Sequence, residues 1–168
     1  NPANEFPDKN WMAVNDLPGT FSTGRIVVTF TSFQDDINPI YSTYSDDGGS
    51  NWSVPLRVTG ESDSNQGSQP FFFPDGTLGI IYYDFRTSDF HFIHSSNAGV
   101  SYGSPVKITD VVLWDDPQLR DGAFLPSATA DRTNGHIFMV YQATGSWGIP
   151  KIMFTKSRDK GVSWSTPV

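Results

Sequence analysis

The side chains of this 168-residue chain that could do chemistry are few, and they sit between strand-like runs. Asp84 and Arg86 follow the run Leu78–Tyr83, read as an inner strand, at a point where side chains can reach a cleft. A carboxylate there could move a proton, and a guanidinium could grip an acidic ligand through its fixed fork of donors. The plainer reading is an Asp–Arg contact that ties the loop to its neighbour. Arg120 and Asp121 precede a later run and could point into the same cleft, with a solvated loop pair as the plain alternative. Trp114 and Trp147 stand in loops, where an indole can stack on a sugar ring or cover a gap between sheets. Asp63-Ser64-Asn65-Gln66-Gly67 alternates oxygen-bearing side chains as calcium loops do, but it lacks the closing bidentate Glu. Calcium is therefore a minor reading, and no cofactor is expected. His91 and His94 lie three apart in a strand-like run, which turns them to opposite faces, so no metal site is expected from them.

The totals exclude whole classes of function. There are no cysteines, which removes disulfides, thiolate catalysis and cysteine-ligated metal sites. Eleven basic residues against 18 acidic ones give a net charge of −7, the wrong sign for a phosphate-backbone partner. No run approaches the roughly 20 apolar residues of a spanning helix, so no membrane span is expected. Glu occurs only at Glu5 and Glu61, while Ser, Thr, Phe, Gly and Pro are frequent. Helix formers are scarce and β-branched, aromatic and turn residues are plentiful, so an all-β chain is expected. The sequence begins at Asn1 rather than Met and carries no signal peptide, which reads as a processed or excised segment. An Asp-rich, Cys-free composition fits an extracellular or periplasmic home.

What must position the loops is a repeat. Ser45-Asp46-Asp47-Gly48-Gly49-Ser50-Asn51-Trp52 returns as Ser95-Ser96-Asn97-Ala98-Gly99-Val100-Ser101-Tyr102, and again as Ser157-Arg158-Asp159-Lys160-Gly161-Val162-Ser163-Trp164. The starts lie 50 and 62 residues apart, a period of propeller blades rather than helical solenoids. Each copy follows a strand-like run and precedes a Ser-Pro or Ser-x-Pro segment. Pro74-Asp75-Gly76-Thr77 and Arg132-Thr133-Asn134-Gly135 mark tight turns upstream, the second read as an Asn-Gly two-residue hairpin. Four antiparallel strands per unit, running outward from an axis, give about three blades, near residues 11–59, 69–109 and 126–168. The repeat then occupies the hairpin between third and fourth strands. Its Ser and Asp or Asn accept hydrogen bonds from the loop, its Gly supplies a backbone conformation other residues resist, and its closing aromatic covers the corner. Trp52 and Trp164 are accordingly expected to be buried, and Phe30, Phe71–Phe73, Tyr82, Phe138, Tyr141 and Phe154 to form the core.

These corners resemble the Asp boxes, or bacterial neuraminidase repeats, of sialidase-like β-propellers. The opening run Asp8-Lys9-Asn10-Trp11-Met12-Ala13-Val14 and Tyr83-Asp84-Phe85-Arg86 are similar to segments of secreted Asp-box glycosyl hydrolases. The resemblance covers nearly the whole chain and implies half of a six-bladed ring, completed by further blades or by a second copy. It further implies a glycan or glycoconjugate ligand. Catalysis in that family uses arginines on the substrate carboxylate, an Asp acid/base and a Tyr nucleophile paired with Glu. An Arg before Ile-Pro in the opening strand is missing here, and neither Glu5 nor Glu61 stands in a nucleophile-pair context. Hence the expectation is a scaffold or glycan-binding face without a complete catalytic set. The alternative is an active exo-sialidase-like hydrolase with Asp84 as acid/base and Arg86 and Arg120 as clamps. A third reading is a protein-binding propeller.

Overall fold

The computed structural model describes residues 6–34, 37–60, 64–114, 116, 118 and 124–168. These residues form three antiparallel sheets and no α-helix. Sheet 1 runs β1 (Phe6–Val14), β2 (Ile26–Phe33), β3 (Ile40–Ser45), β4 (Leu56–Arg57), and sheet 2 runs β5 (Asn65–Phe72), β6 (Leu78–Asp84), β7 (Asp89–Ser95), β8 (Val106–Asp110). Sheet 3 holds β9 (Ser127–Ala130), β10 (Ile137–Thr144) and β11 (Pro150–Ser157). It was expected to have four strands. Its fourth position is marked only by Val168, which exchanges two backbone hydrogen bonds with Phe154 at 2.9 and 3.0 Å.

The sheets stack through their first strands, β5 touching both β1 and β9, so β5 is innermost and β6 is second. Every residue of β6 is buried, which explains its near-continuous apolar run: a strand covered on both faces has no reason to alternate. Leu78, Ile80 and Tyr82 point into the core shared with Val27 and Ile40 of sheet 1. Ile81 and Tyr83 point into the core shared with Ile137, Met139 and Tyr141 of sheet 3. Phe71 and Phe73 enter the second core and Phe72 the first, the period-2 alternation of a strand splitting a triple aromatic between two interfaces.

The end sheets differ. Phe30 stacks on Tyr41 at 5.9 Å and Phe138 on Phe154 at 6.3 Å, each pair half-buried on the far face of its sheet rather than within a core. The turn before β10 is also wider than an Asn-Gly hairpin. Only Gly135 takes positive φ (73°), and Asp131 orders the loop through Thr133 N–H and Oγ1 at 2.7 and 2.6 Å.

The three repeated corners share one hydrogen-bond scheme. Ser45 Oγ donates to Asp47 Oδ1 (2.8 Å) and accepts from Gly49 N (2.9 Å), while Asp47 Oδ1 also accepts from Asn51 N (2.8 Å). Ser95, Asn97, Gly99 and Ser101 repeat these contacts at 2.8–2.9 Å, as do Ser157, Asp159, Gly161 and Ser163. An acceptor oxygen is what the position demands, which is why Asn97 serves where the others have Asp. These bonds stabilise the carboxylates: Asn51 N–H, its side chain and Ser45 lower Asp47 to about 2, and Ser163 and Ser157 lower Asp159 to about 2.

The second and third corners also reach the preceding sheet. Tyr102 OH bonds Ser42 Oγ of β3 at 2.8 Å, and burial pushes the phenol up to about 12. Trp164 packs edge-on against Phe92 of β7 at 6.0 Å. Gly161 lies so close to Phe92 that a Cβ would overlap the ring. Arg25 donates to Ala98 O at 3.1 Å while holding Asp46. Trp52 has no such neighbour: it closes its own loop through Gly49 O (3.0 Å) and remains 45% exposed, against the expectation of burial.

Candidate functional site

Ion pairs define one face of the stack. Lys160 meets Asp75, Arg132 meets Asp16, and Ser22 Oγ donates to Gly76 O at 2.6 Å, so first-to-second-strand turns and corners lie together. The opposite face carries the β2–β3, β6–β7 and β10–β11 connections and the chain crossings. In the structure β6–β7 is a tight hairpin: Ser88 takes φ 57° and donates its N–H to Asp84 O at 2.9 Å.

Asp84 closes that hairpin and is 4% exposed. Its Oδ1 accepts the Arg86 N–H at 2.8 Å, an Asx-type turn. Asp84 pairs with Asp89 across the strands, and shares the face of Tyr82, so it points toward sheet 1 rather than toward the axis. Arg86 is exposed in the turn. Asp89, which sequence reasoning passed over, is 2% exposed and carries the denser network: Thr87 Oγ1 at 2.5 Å, His91 Nε2 at 3.1 Å and Lys107 Nζ at 3.2 Å. Its bonds with Asp110 and then Asp89 raise the Lys107 ammonium. The pattern Thr-x-Asp-x-His was the available signal, but the Lys partner comes from β8 across a register shift between Phe90 and His91.

Along the axis, the innermost strands enclose two clefts that share Trp11 and Gln69. One, of about 300 Å³, runs between β1, β5 and β9 toward Asp16 and Arg132. The other, of about 230 Å³, opens toward the hairpin face beside Lys9, Gly67, Leu125 and Pro126. Gln69 spans the gap, donating to Ala128 O (3.0 Å) and accepting from Ala128 N (2.9 Å).

Trp147 is 97% exposed. It sits at φ 65° at the tip of the β10–β11 hairpin, within the short 3-10 turn Ser146–Gly148. The base is held by Gly145 N–H to Ile149 O (2.8 Å) and by Thr144, which bonds Val112 O (2.7 Å) and Leu113 O (2.9 Å). Those last bonds bring the segment leading into half-buried Trp114 to the same end of sheet 3. Arg120 and Asp121 lie outside the described residues, as do Glu5, Asp35, Asp36, Glu61 and Asp63. Asn65, from the proposed calcium loop, is a strand residue whose Nδ2 donates to Thr59 Oγ1 at 3.1 Å. No group of three His, Asp or Glu positioned for a metal occurs among the described residues. None of their helices is long and apolar enough to cross a membrane.

No protein-family model and no curated protein matches the sequence. Solved structures do. A protein of unknown function from Dyadobacter fermentans is 17% identical with a TM-score of 0.66, over 96% of this chain and 54% of its own. The Hadza microbial sialidase Hz136 is 13% identical with a TM-score of 0.69, over 96% and 37%. The GH93 α-L-arabinofuranosidase of Fusarium graminearum, solved with arabinobiose, is 14% identical with a TM-score of 0.68, over 99% and 50%. These likenesses show the fold: a β-propeller scaffold of the type used by sialidases and other glycoside hydrolases. The chain spans about half the length, or less, of these three structures.

Proposed function

We propose that this chain is an Asp-box β-propeller segment of a secreted protein that binds glycans on its hairpin face without hydrolysing them. The observation that carries the reading is Trp147. An indole almost wholly in water, on left-handed backbone, is unfavourable unless a ligand covers it; stacking on a sugar ring uses its apolar face and its ring N–H together. Trp114 stands at the same end of sheet 3, and the axial cleft at Gly67–Gln69 is concave enough to take a further sugar unit. Binding rather than turnover follows from Asp84. A carboxylate packed against sheet 1 with one oxygen held by the Arg86 N–H is badly placed to exchange protons with a glycosidic oxygen. The neighbours' ligands suggest arabino-oligosaccharides and sialosides as first probes. Titration of these glycans followed by Trp fluorescence is expected to show binding that Trp147→Ala lowers at least about tenfold. Turnover of a fluorogenic glycoside panel, abolished by Asp84→Asn, would replace this proposal with a hydrolase. A pulled-down protein partner with no glycan signal would replace it with a protein-binding module.

A further inference from the structure

We propose that His94 makes the joint between sheets 2 and 3 acid-sensitive, the third corner loosening when the imidazole takes up a proton. The ring belongs to β7 and faces sheet 3, opposite to His91, whose ring meets Tyr82 on the sheet 1 side. It stacks on Phe92 at 6.5 Å and meets Phe73 edge-on at 5.7 Å. Phe92 also receives Trp164 of the third corner at 6.0 Å, and Lys160 of that corner stands over Phe73 at 5.8 Å. His94 is therefore set inside the aromatic cluster through which the third corner grips sheet 2. Its Nε2 is buried and has no hydrogen-bond partner among the described residues.

A neutral imidazole tolerates that setting, because a nitrogen without a proton offers only a lone pair. A protonated ring does not, since a charged N–H is then left without an acceptor among apolar rings. Its attraction to the face of Phe92 is the smaller effect. Neither neighbour across the sheet brings a charge: Gly79 lies opposite on β6, and Gly103 donates its N–H to the His94 carbonyl at 2.9 Å. Among the described residues, the charges acting on the ring are Asp75 of the β5–β6 turn and Lys160 of the corner. Asp75 is already committed, its Oδ1 to Thr77 N–H (3.1 Å) and Oγ1 (2.7 Å) and its Oδ2 to Lys160. Burial holds the imidazole below its ordinary value, while Asp75 draws it up and Lys160 presses it down. Opening the stack to water is what relieves a protonated Nε2, and Trp164 rests on that stack.

The joint between sheets 1 and 2 is the internal control. Ser45 and Ser95 pair with Ile26 and Leu78, so Tyr44 stands in sheet 1 where His94 stands in sheet 2. Tyr44 lies under Arg25, 4.1 Å from its ring centre, and has no basic nitrogen. A histidine that holds its proton less tightly folded than unfolded costs nothing above about pH 6.5. Below that value the unfolded chain gains the proton first and stability falls, levelling off once the folded ring is charged as well.

Nuclear magnetic resonance titration of the intact chain tests this, following the His94 ring protons and the indole N–H signals. His94 is expected to titrate below about pH 6.5, with the Trp164 indole shifting at the same midpoint and the Trp52 indole still in that step. The urea midpoint should fall between about pH 7 and about pH 5, and His94→Phe should remove at least about half of that fall. The titration decides the matter even where His94→Phe fails to fold. A His94 that titrates at or above its ordinary value, a Trp164 signal that ignores it, or a folded His94→Phe with unchanged pH dependence would overturn the proposal. No glycan enters these measurements, so the binding proposal keeps its own test.

Discussion

Replacing the closing tryptophan of the first and third corners gives unequal losses, although the motif is the same. Truncating a fully buried Trp costs about 3–5 kcal/mol. Trp164 is half-buried, packed on Phe92 and donating to Gly161 O over 3.3 Å, so roughly half of that range applies, about 2 kcal/mol. For a chain of this size, that lowers the melting midpoint by about 4–8 °C. Trp52, 45% exposed with only its own loop beneath it, should cost less than about 1 kcal/mol. The assay is urea unfolding followed by far-ultraviolet circular dichroism. Equal losses from Trp52→Ala and Trp164→Ala would refute the claim that a corner's contribution comes from the sheet it rests on.

The same geometry makes other perturbations informative. Asp47→Asn should be tolerated far better than Asp47→Ala, because Asn still accepts from Asn51 N–H as Asn97 does from Ser101 N–H; unfolding midpoints check it, and equal losses contradict it. Gly161→Ala should destabilise much more than Gly49→Ala, since both strain a positive φ but only the first drives a methyl into Phe92. Asp47 and Asp159 titrate lower in the folded than in the unfolded chain, so the stability they contribute is full above about pH 4. It is lost as pH falls toward about 2. An Asp47→Asn, Asp159→Asn variant should therefore show a flatter loss of stability across that window in acid titrations of the unfolding midpoint.

The fold was legible because its signals are local. Ser, Asp and Gly at fixed offsets build a corner from bonds within a few residues, and the strand runs between corners carry their own β-branched and aromatic bias. Burial was less legible because it depends on which sheet lies opposite. Phe72 and Phe138 look alike in sequence, but one faces a packed neighbour and the other the far side of an end sheet. Trp52 and Trp164 differ for the same reason. Asp84 ends its strand as expected, yet parity with Tyr82 turns it to sheet 1, and the denser network belongs to Asp89 through Lys107 from another strand. That pairing depends on a register shift that no spacing in the sequence announces.

The central claim is that the second and third corners each clamp onto the third strand of the sheet before them, and a double-mutant cycle between Trp164 and Phe92 measures that clamp. With Trp164→Leu and Phe92→Leu, singly and together, the coupling energy is expected at about 0.5–1.5 kcal/mol, the worth of an edge-on aromatic pair. Losses that simply add would show that the two rings do not meet, and that the corners close only upon themselves.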